Sequence, residues 1–191
     1  MDLRQNERAN LKRCLVGLLY QSYTNLEILV LTKGTLTKQQ AEFLAELQPY
    51  HRLEIVEASQ LKEAVAKASG AYVYFLNIND LLLKEDVLAK FYQVANKGAD
   101  LVASDYQSFD YQTNMIYWVN KEEQVAFLGS TNKQQYQREL GELTGWLVKT
   151  SLAKECLASG VSEQLAAKLL RQEAKQVAVI SEQLWLKTFN K

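Results

Sequence analysis

The sequence predicts a single α/β domain: a mostly parallel sheet with helices on both faces. Three observations carry this expectation. Short, nearly all-apolar runs such as Leu26-Glu27-Ile28-Leu29-Val30-Leu31 and Tyr72-Val73-Tyr74-Phe75-Leu76 have the length and composition of strands covered on both faces. Segments with apolar residues at helical spacing separate them, and this alternation, which implies βα units, continues to about residue 104. A chain of 191 residues, 48% hydrophobic and 23% charged, can bury one core without a disulfide or a metal.

Each element follows from a local pattern. Leu11, Cys14, Leu15, Leu18 and Leu19 repeat at i, i+3, i+4, i+7 and i+8, so the chain opens with a helix. The run from Leu26 to Leu31 is the first strand. Thr37-Lys38-Gln39-Gln40 fits a capping box, Ala41, Leu44 and Leu47 follow on one face, and Pro49 lies beyond the last turn. Leu53-Glu54-Ile55-Val56 is a second strand, Leu61 to Ala68 a short helix with Gly70 at its C′ position, and Tyr72 to Leu76 a third strand. Val87, Leu88, Phe91 and Val94 mark a helix over Asp86 to Ala95, and Gly98 precedes the strand Leu101-Val102-Ala103.

Beyond that point the pattern changes. Tyr106 to Val119 is aromatic and polar with a turn at Asn114, which predicts an antiparallel excursion. The stretch to Glu139 is Gln-rich and weakly patterned. Gly145 to Val148 reads as a strand, Ser151 to Leu157 as a helix, Ser162 as the cap of a further helix with Leu165, Leu169 and Leu170 inward, and Val177 to Ile180 as the final strand.

Composition removes several function classes. Lys+Arg and Asp+Glu both number 22, so the net charge of zero offers no general attraction for nucleic acid or an acidic membrane. The apolar runs are far shorter than the ~20 residues a membrane span needs. The mixed-charge start from Met1 to Arg8 lacks the pattern of a secretory signal, and from the structural reading of the two cysteines cytoplasmic residence is expected. Cys14 and Cys156 stand far apart outside any ligand motif and read as structural, His51 reads as a surface turn residue, and no GxGxxG or Walker pattern occurs.

Sheets of this kind bind ligands at the carboxyl ends of their strands, which directs attention to Thr32-Lys33-Gly34-Thr35 and Asn77-Ile78-Asn79-Asp80. Around these loops, Arg13-Cys14-Leu15, Gln21-Ser22-Tyr23, Asn25-Leu26-Glu27-Ile28 and Gly34-Thr35, then Ala68 to Leu76, Asp80-Leu81-Leu82 and Ala99-Asp100-Leu101-Val102, resemble family-2 glycosyltransferases of the GT-A fold. The resemblance covers residues 6–105 well and 141–186 loosely. It implies a nucleotide-binding-type half over 6–105 and an acceptor-side half over 106–191.

What the resemblance implies chemically is transfer of a sugar from a nucleotide diphosphate donor to an acceptor hydroxyl. Acidic residues hold the base and ribose, an Asp-x-Asp element holds Mg²⁺ or Mn²⁺ against the diphosphate, and a further carboxylate takes the acceptor proton. By this correspondence the nucleotide-binding positions are Thr32, Lys33, Gly34, Asn77 and Asn79, the metal position is Asp80 and the catalytic base is Glu163. The expected acids are largely replaced: Thr32 and Lys33 stand for one pair, and Asn77-Ile78-Asn79 for the Asp-x-Asp element. An amide oxygen brings no negative charge, so Asp80 alone should hold a divalent cation poorly. Lys33 could contact a phosphate directly, or be a solvated loop charge. Glu163, beside Gln164, either keeps the base or serves as a first-turn carboxylate favoured by the helix dipole.

The family also begins with an apolar strand, for which Met1 to Gln5 is a poor match. Either that strand is missing or a neighbouring chain supplies it. Tyr106, Tyr111, Tyr117 and Trp118 could stack on sugar or pack, with packing expected; Trp146 and Trp185 read as core. Together these readings predict a glycosyltransferase-like protein of weak or absent activity. Its expected partner is another protein chain, either a glycosyltransferase or a second copy, in a surface-polysaccharide or protein-glycosylation pathway. The alternative is an active transferase bound to a nucleotide sugar.

Overall fold

The computed structural model describes residues 3–32, 34–49, 52–57, 61–110, 115–119, 143–158 and 161–189. In chain order these form α1 (Leu3–Leu19), β1 (Ile28–Thr32), α2 (Lys38–Leu47), β2 (Leu53–Glu57), α3 (Leu61–Lys67), β3 (Tyr72–Tyr74), β4 (Leu81–Leu82) and α4 (Val87–Ala95). They continue with β5 (Leu101–Asp110), β6 (Met115–Val119), β7 (Leu147–Lys149), α5 (Thr150–Leu157), α6 (Glu163–Glu173) and β8 (Val177–Phe189). Lys33, His51, Tyr111, Asn114 and the Gln-rich stretch to Glu139 lie outside the described residues.

The local signals act where they stand. Thr37 Oγ1 accepts from the Gln40 N–H at 3.3 Å while Gln40 Oε1 accepts from the Thr37 N–H at 2.9 Å, so the capping box closes and α2 starts there. Ser162 Oγ accepts from the Leu165 N–H at 3.3 Å and starts α6. Gly70 is not a left-handed C′ cap: positive φ occurs at Gly98 (106°) and Gly145 (78°). Gly70 instead lies in the lead-in to β3, where its N–H donates to Glu27 and its carbonyl accepts from Thr150 Oγ1 at 2.6 Å. At Gly145 a side chain is excluded outright, because a Cβ would sit 2.3 Å from Cε2 of Trp185.

The strands form two sheets. β1 and β2 make a parallel pair, Ile28 opposite Leu53 through Thr32 opposite Glu57. The other six run in the order β3-β7-β5-β8-β4, with β6 on β5. The α/β class and the helix-covered sheet hold, but the pairing is more mixed than the expected mostly parallel sheet. β1–β2 and β5–β8 are parallel, whereas β3–β7, β5–β7, β5–β6 and β4–β8 are antiparallel. The reversal at β6 is forced by the connection, since four residues can join antiparallel neighbours and cannot make a parallel crossover. It is the expected excursion, pairing Tyr106 with Val119 through Asp110 with Met115.

Two large clusters lie on either side of the six-stranded sheet. One joins Leu101, Trp146, Val148, Ala153, Leu157 and Leu170; the other joins Val87, Phe91, Val102, Tyr106, Leu184 and Trp185. Trp146 and Trp185 are core, as expected. Tyr106 stacks on Trp185 with ring centroids 4.4 Å apart and is buried, so it packs and offers no face to a sugar. A smaller cluster, Leu11, Leu15, Leu44 and Leu53, holds α1 and α2 to the two-stranded sheet. Between β1 and β3 lies a cavity of about 480 Å³.

Candidate active site

The loop after β3 is the best-defined part of the expected site. Hydrogen bonding to β7 continues past β3, with the Phe75 N–H donating to the Trp146 carbonyl at 3.1 Å. The chain then turns: the Asp80 N–H donates to the Asn77 carbonyl at 2.9 Å, and Asn77 Oδ1 accepts from the Asn79 N–H at 3.0 Å. Asn is suited to this, because its short side chain folds back on the backbone two residues ahead.

α1 and β8 hold the turn from outside. Asn10 Nδ2 donates to Asn79 Oδ1 at 2.7 Å, Arg13 Nη2 donates to the Asn79 carbonyl at 3.3 Å, and Cys14 Sγ donates to the Asn77 carbonyl at 3.6 Å. From β8, Thr188 Oγ1 donates to the Asn79 carbonyl at 2.5 Å. Asp80 is 3% exposed, and its Oδ1 accepts from the Thr188 N–H at 3.1 Å. The charge of Asp80 is thus turned inward to order the end of β8.

Its neighbours register that charge. Burial, then the Asp80 carboxylate, push the Cys14 thiol up to about 12 against the opposing effect of Arg13, and burial followed by the same carboxylate raises the Tyr74 hydroxyl. Cys14 and Cys156 are free and buried, as the structural reading of both requires.

A divalent cation does not fit the residues present. Asn77 and Asn79 are neutral, their amide oxygens are engaged within the protein, and Asp80 faces Thr188. Among the described residues no group of three His, Cys, Asp or Glu could hold a metal ion.

The remaining positions are spread. Thr32 ends β1 opposite Glu57, on the two-stranded sheet, and exposed Gly34 follows with nothing within 4 Å of where a Cβ would stand. Glu163 is the first residue of α6, directly after the Ser162 cap. The structure therefore brings Asn77, Asn79 and Asp80 into one turn and sets Thr32, Gly34 and Glu163 on other elements.

Sequence reasoning assigned no role to Asn10, Arg13, Thr188 or Glu27. Glu27, just ahead of β1, accepts from the Ser69 N–H at 2.5 Å, the Gly70 N–H at 3.0 Å and Ser69 Oγ at 2.9 Å, with Arg52 Nη2 at 3.5 Å. Burial works to raise the Glu27 carboxyl, but these hydrogen bonds and Arg52 outweigh it and hold it below its ordinary range. The available signal for Asn10 and Arg13 was their place beside Cys14 on α1, at i, i+3 and i+4.

Comparison with known proteins matches this arrangement to one family. The glycosyl transferase family 2 model covers residues 5–155. The chain is 27% identical over 115 residues to "Glycosyltransferase GlyA" of Streptococcus pneumoniae serotype 4, a match to 56% of this chain and 16% of that protein. Among solved structures, S. aureus TarS 1–349 in complex with UDP-GlcNAc aligns with a TM-score of 0.69 at 14% identity, covering 97% of this chain and 56% of that one. The same fragment without that ligand in its description gives 0.70 at 14% identity, covering 96% and 58%. The chain thus spans about a sixth of the matched curated relative and little more than half of the TarS fragments. The structural likeness establishes the GT-A fold, and the family model shows that the chain belongs to glycosyltransferase family 2.

Proposed function

We propose that this chain is a family-2 glycosyltransferase domain with little or no transferase activity of its own. It acts as a binding or scaffold partner of another protein chain in a surface-polysaccharide or protein-glycosylation pathway, in the cytoplasm. The observation that carries this reading is the closed, neutral turn at Asn77–Asn79. Where the fold's chemistry calls for carboxylates facing a diphosphate, amide oxygens are consumed by Asn10 and by the turn itself. Transfer through such a site lacks the charge that stabilises a departing nucleotide diphosphate.

A second reading is supported by TarS, whose structures are described with UDP-GlcNAc and with UDP. In it the chain binds a nucleotide sugar and moves the sugar to an acceptor hydroxyl. Thr32, Lys33, Gly34, Asn77 and Asn79 contact the nucleotide, Lys33 meets the phosphates and Glu163 takes the acceptor proton.

Calorimetric titration separates the two. Folded protein is titrated with UDP-, GDP- and dTDP-sugars, each with and without Mn²⁺. The scaffold reading expects no heat of binding from any donor. Saturable, Mn²⁺-dependent binding of one donor would overturn it and establish the second reading's substrate.

A further inference from the structure

We propose that residues 77–88, which hold the site turn, β4 and the start of α4, form one strap that α1 carries as a single conformational unit, with Gln21 as its buried pin. Asn10, Cys14, Gly17 and Gln21 recur at i, i+4, i+7 and i+11, so they lie along one face of α1, with Arg13 beside them. Asn10, Arg13 and Cys14 hold Asn79 and Asn77 at one end of the strap. At the other end Gln21 Nε2 donates to the Lys84 carbonyl at 2.7 Å and to the Gly17 carbonyl of its own helix at 3.1 Å. Gln21 Oε1 accepts from the Leu88 N–H at 3.0 Å, and the Ser22 N–H donates to the Glu85 carbonyl at 2.6 Å. Between the two ends, a Cβ on Gly17 would stand 4.0 Å from the Leu82 main-chain N, so helix and strap lie in ordinary contact there.

The lengths of the two partners match. From Asn10 to Gln21 a helix rising about 1.5 Å per residue advances about 16 Å. From Asn79 to Lys84 a chain at strand rise, about 3.3 Å per residue, also advances about 16 Å. The span between the tied ends is therefore drawn out, with no slack, and keeps its course only while both ends are held. On its other edge the strap meets β8 through the pairs Leu81–Leu186 and Leu82–Trp185 and through the Thr188 N–H on Asp80 Oδ1. Gln21 is 6% exposed. Without its amide the Lys84 carbonyl and the Leu88 N–H lose their side-chain partner inside the protein, the costly case for a polar group.

Gln21 is thus a positioning residue for a turn it does not touch. A shift of the strap at Lys84–Leu88 moves Asn77–Asn79, and because coupling is reciprocal a shift at the turn moves Leu88. The strap does not depend on the partner-binding reading: donor binding in the titration above would overturn that reading and leave the strap standing. The test is native-state amide hydrogen exchange of the wild-type protein and two variants. Gln21→Met keeps the volume of the side chain and loses its hydrogen bonds, and Asn10→Ala frees the opposite end. A single strap exchanges as one unit. Gln21→Met should therefore speed Leu88, Asp80 and Thr188 by one common factor, about tenfold or more. Val102 in β5 and Val148 in β7 should be unchanged. Asn10→Ala should speed the same three amides by a common factor of its own.

Faster exchange at Leu88 with Asp80 and Thr188 unmoved in Gln21→Met would show independent local ties and overturn the proposal. No change at any of the three would overturn it too, as would an equal rise at Val102 and Val148, which would mean that the strap opens only with the whole fold. If Gln21→Met fails to fold, the wild-type protein still decides the matter. In low urea its Leu88, Asp80 and Thr188 amides should share one opening equilibrium and one urea slope, and three different slopes would overturn the single strap.

Discussion

β1 and β5 begin as similar sequences and end in different surroundings. Ile28-Leu29-Val30-Leu31 is as apolar as Leu101-Val102-Ala103, yet all five β1 residues are only half-buried while Leu101, Val102, Ala103 and Ser104 are 1%, 0%, 4% and 0% exposed. Among the described residues, β5 has β7 and β8 on its two edges, and β1 has β2 on one and a cavity on the other. An apolar run states what a strand requires, two covers and two neighbours, and the neighbours decide whether it is met. β1 is therefore a central strand by sequence and, among the described residues, an edge strand in place.

Truncation should expose that difference most strongly. Leu101→Ala removes a side chain packed among Val148, Trp146 and Leu170 and should cost about 2–5 kcal/mol. Leu29→Ala, beside an existing cavity and half-buried, should cost about 1 kcal/mol, roughly half of a full side-chain transfer. Urea unfolding of the two variants measures the gap. Equal losses would mean that β1 is as fully packed as β5 and would remove the comparison.

Legibility in the sequence follows the range of the interactions. The alternation to residue 104, the Thr37 and Ser162 caps and the antiparallel excursion were readable because each depends on residues within a few positions. β4 has two residues and exists through Leu81–Leu82 pairing with Leu186 and Trp185. β8 runs on to Phe189 through Ser181, Glu182 and Gln183 because β5 and β4 lie beside it, a support that no local pattern announces. The first turns of α1 carry too few apolar residues for a helical stripe to show. At the site, the loss of carboxylates from Asn77 and Asn79 was plain in the letters. The engagement of the Asn79 side chain by Asn10 and of its carbonyl by Thr188, 69 and 109 residues away, was not. Gly70 was misassigned because a glycine after a helix suggests a cap, and only the folded chain brings Glu27 to its N–H.

The Glu27 clasp is the next test of the contrast, since it ties the β1 pair to the six-stranded sheet. Glu27→Gln should cost about 2 kcal/mol, the scale of hydrogen bonds to a charged group; exposed Arg52 adds little. The pH dependence has a definite sign. The folded carboxyl lies below its ordinary 4.5, so the clasp's contribution is complete above that pH and is lost as pH falls through the folded value. Wild type and Glu27→Gln should accordingly differ most near neutrality and converge in acid. Thermal unfolding from pH 7 to pH 3 measures this, and a constant difference would show that the charge of Glu27 is not what holds the strands.

The smallest effect is expected where the family's chemistry has changed most. Asn79→Asp keeps the acceptor for Asn10 Nδ2 and places a carboxylate near Arg13, while Asn77→Asp keeps the acceptor for the Asn79 N–H. The double variant adds repulsion between the two new charges and with Asp80, so its stability should fall by no more than about 1 kcal/mol. If the amides are an electrostatic change and not a requirement of the turn, Mn²⁺ alone should raise the melting temperature of the double variant and leave wild type unmoved. A loss well above 2 kcal/mol would show that the turn itself demands amides. Equal stabilisation of wild type by Mn²⁺ would show that the neutral loop still gathers a cation, and the distinction drawn between this loop and an acidic one would fail.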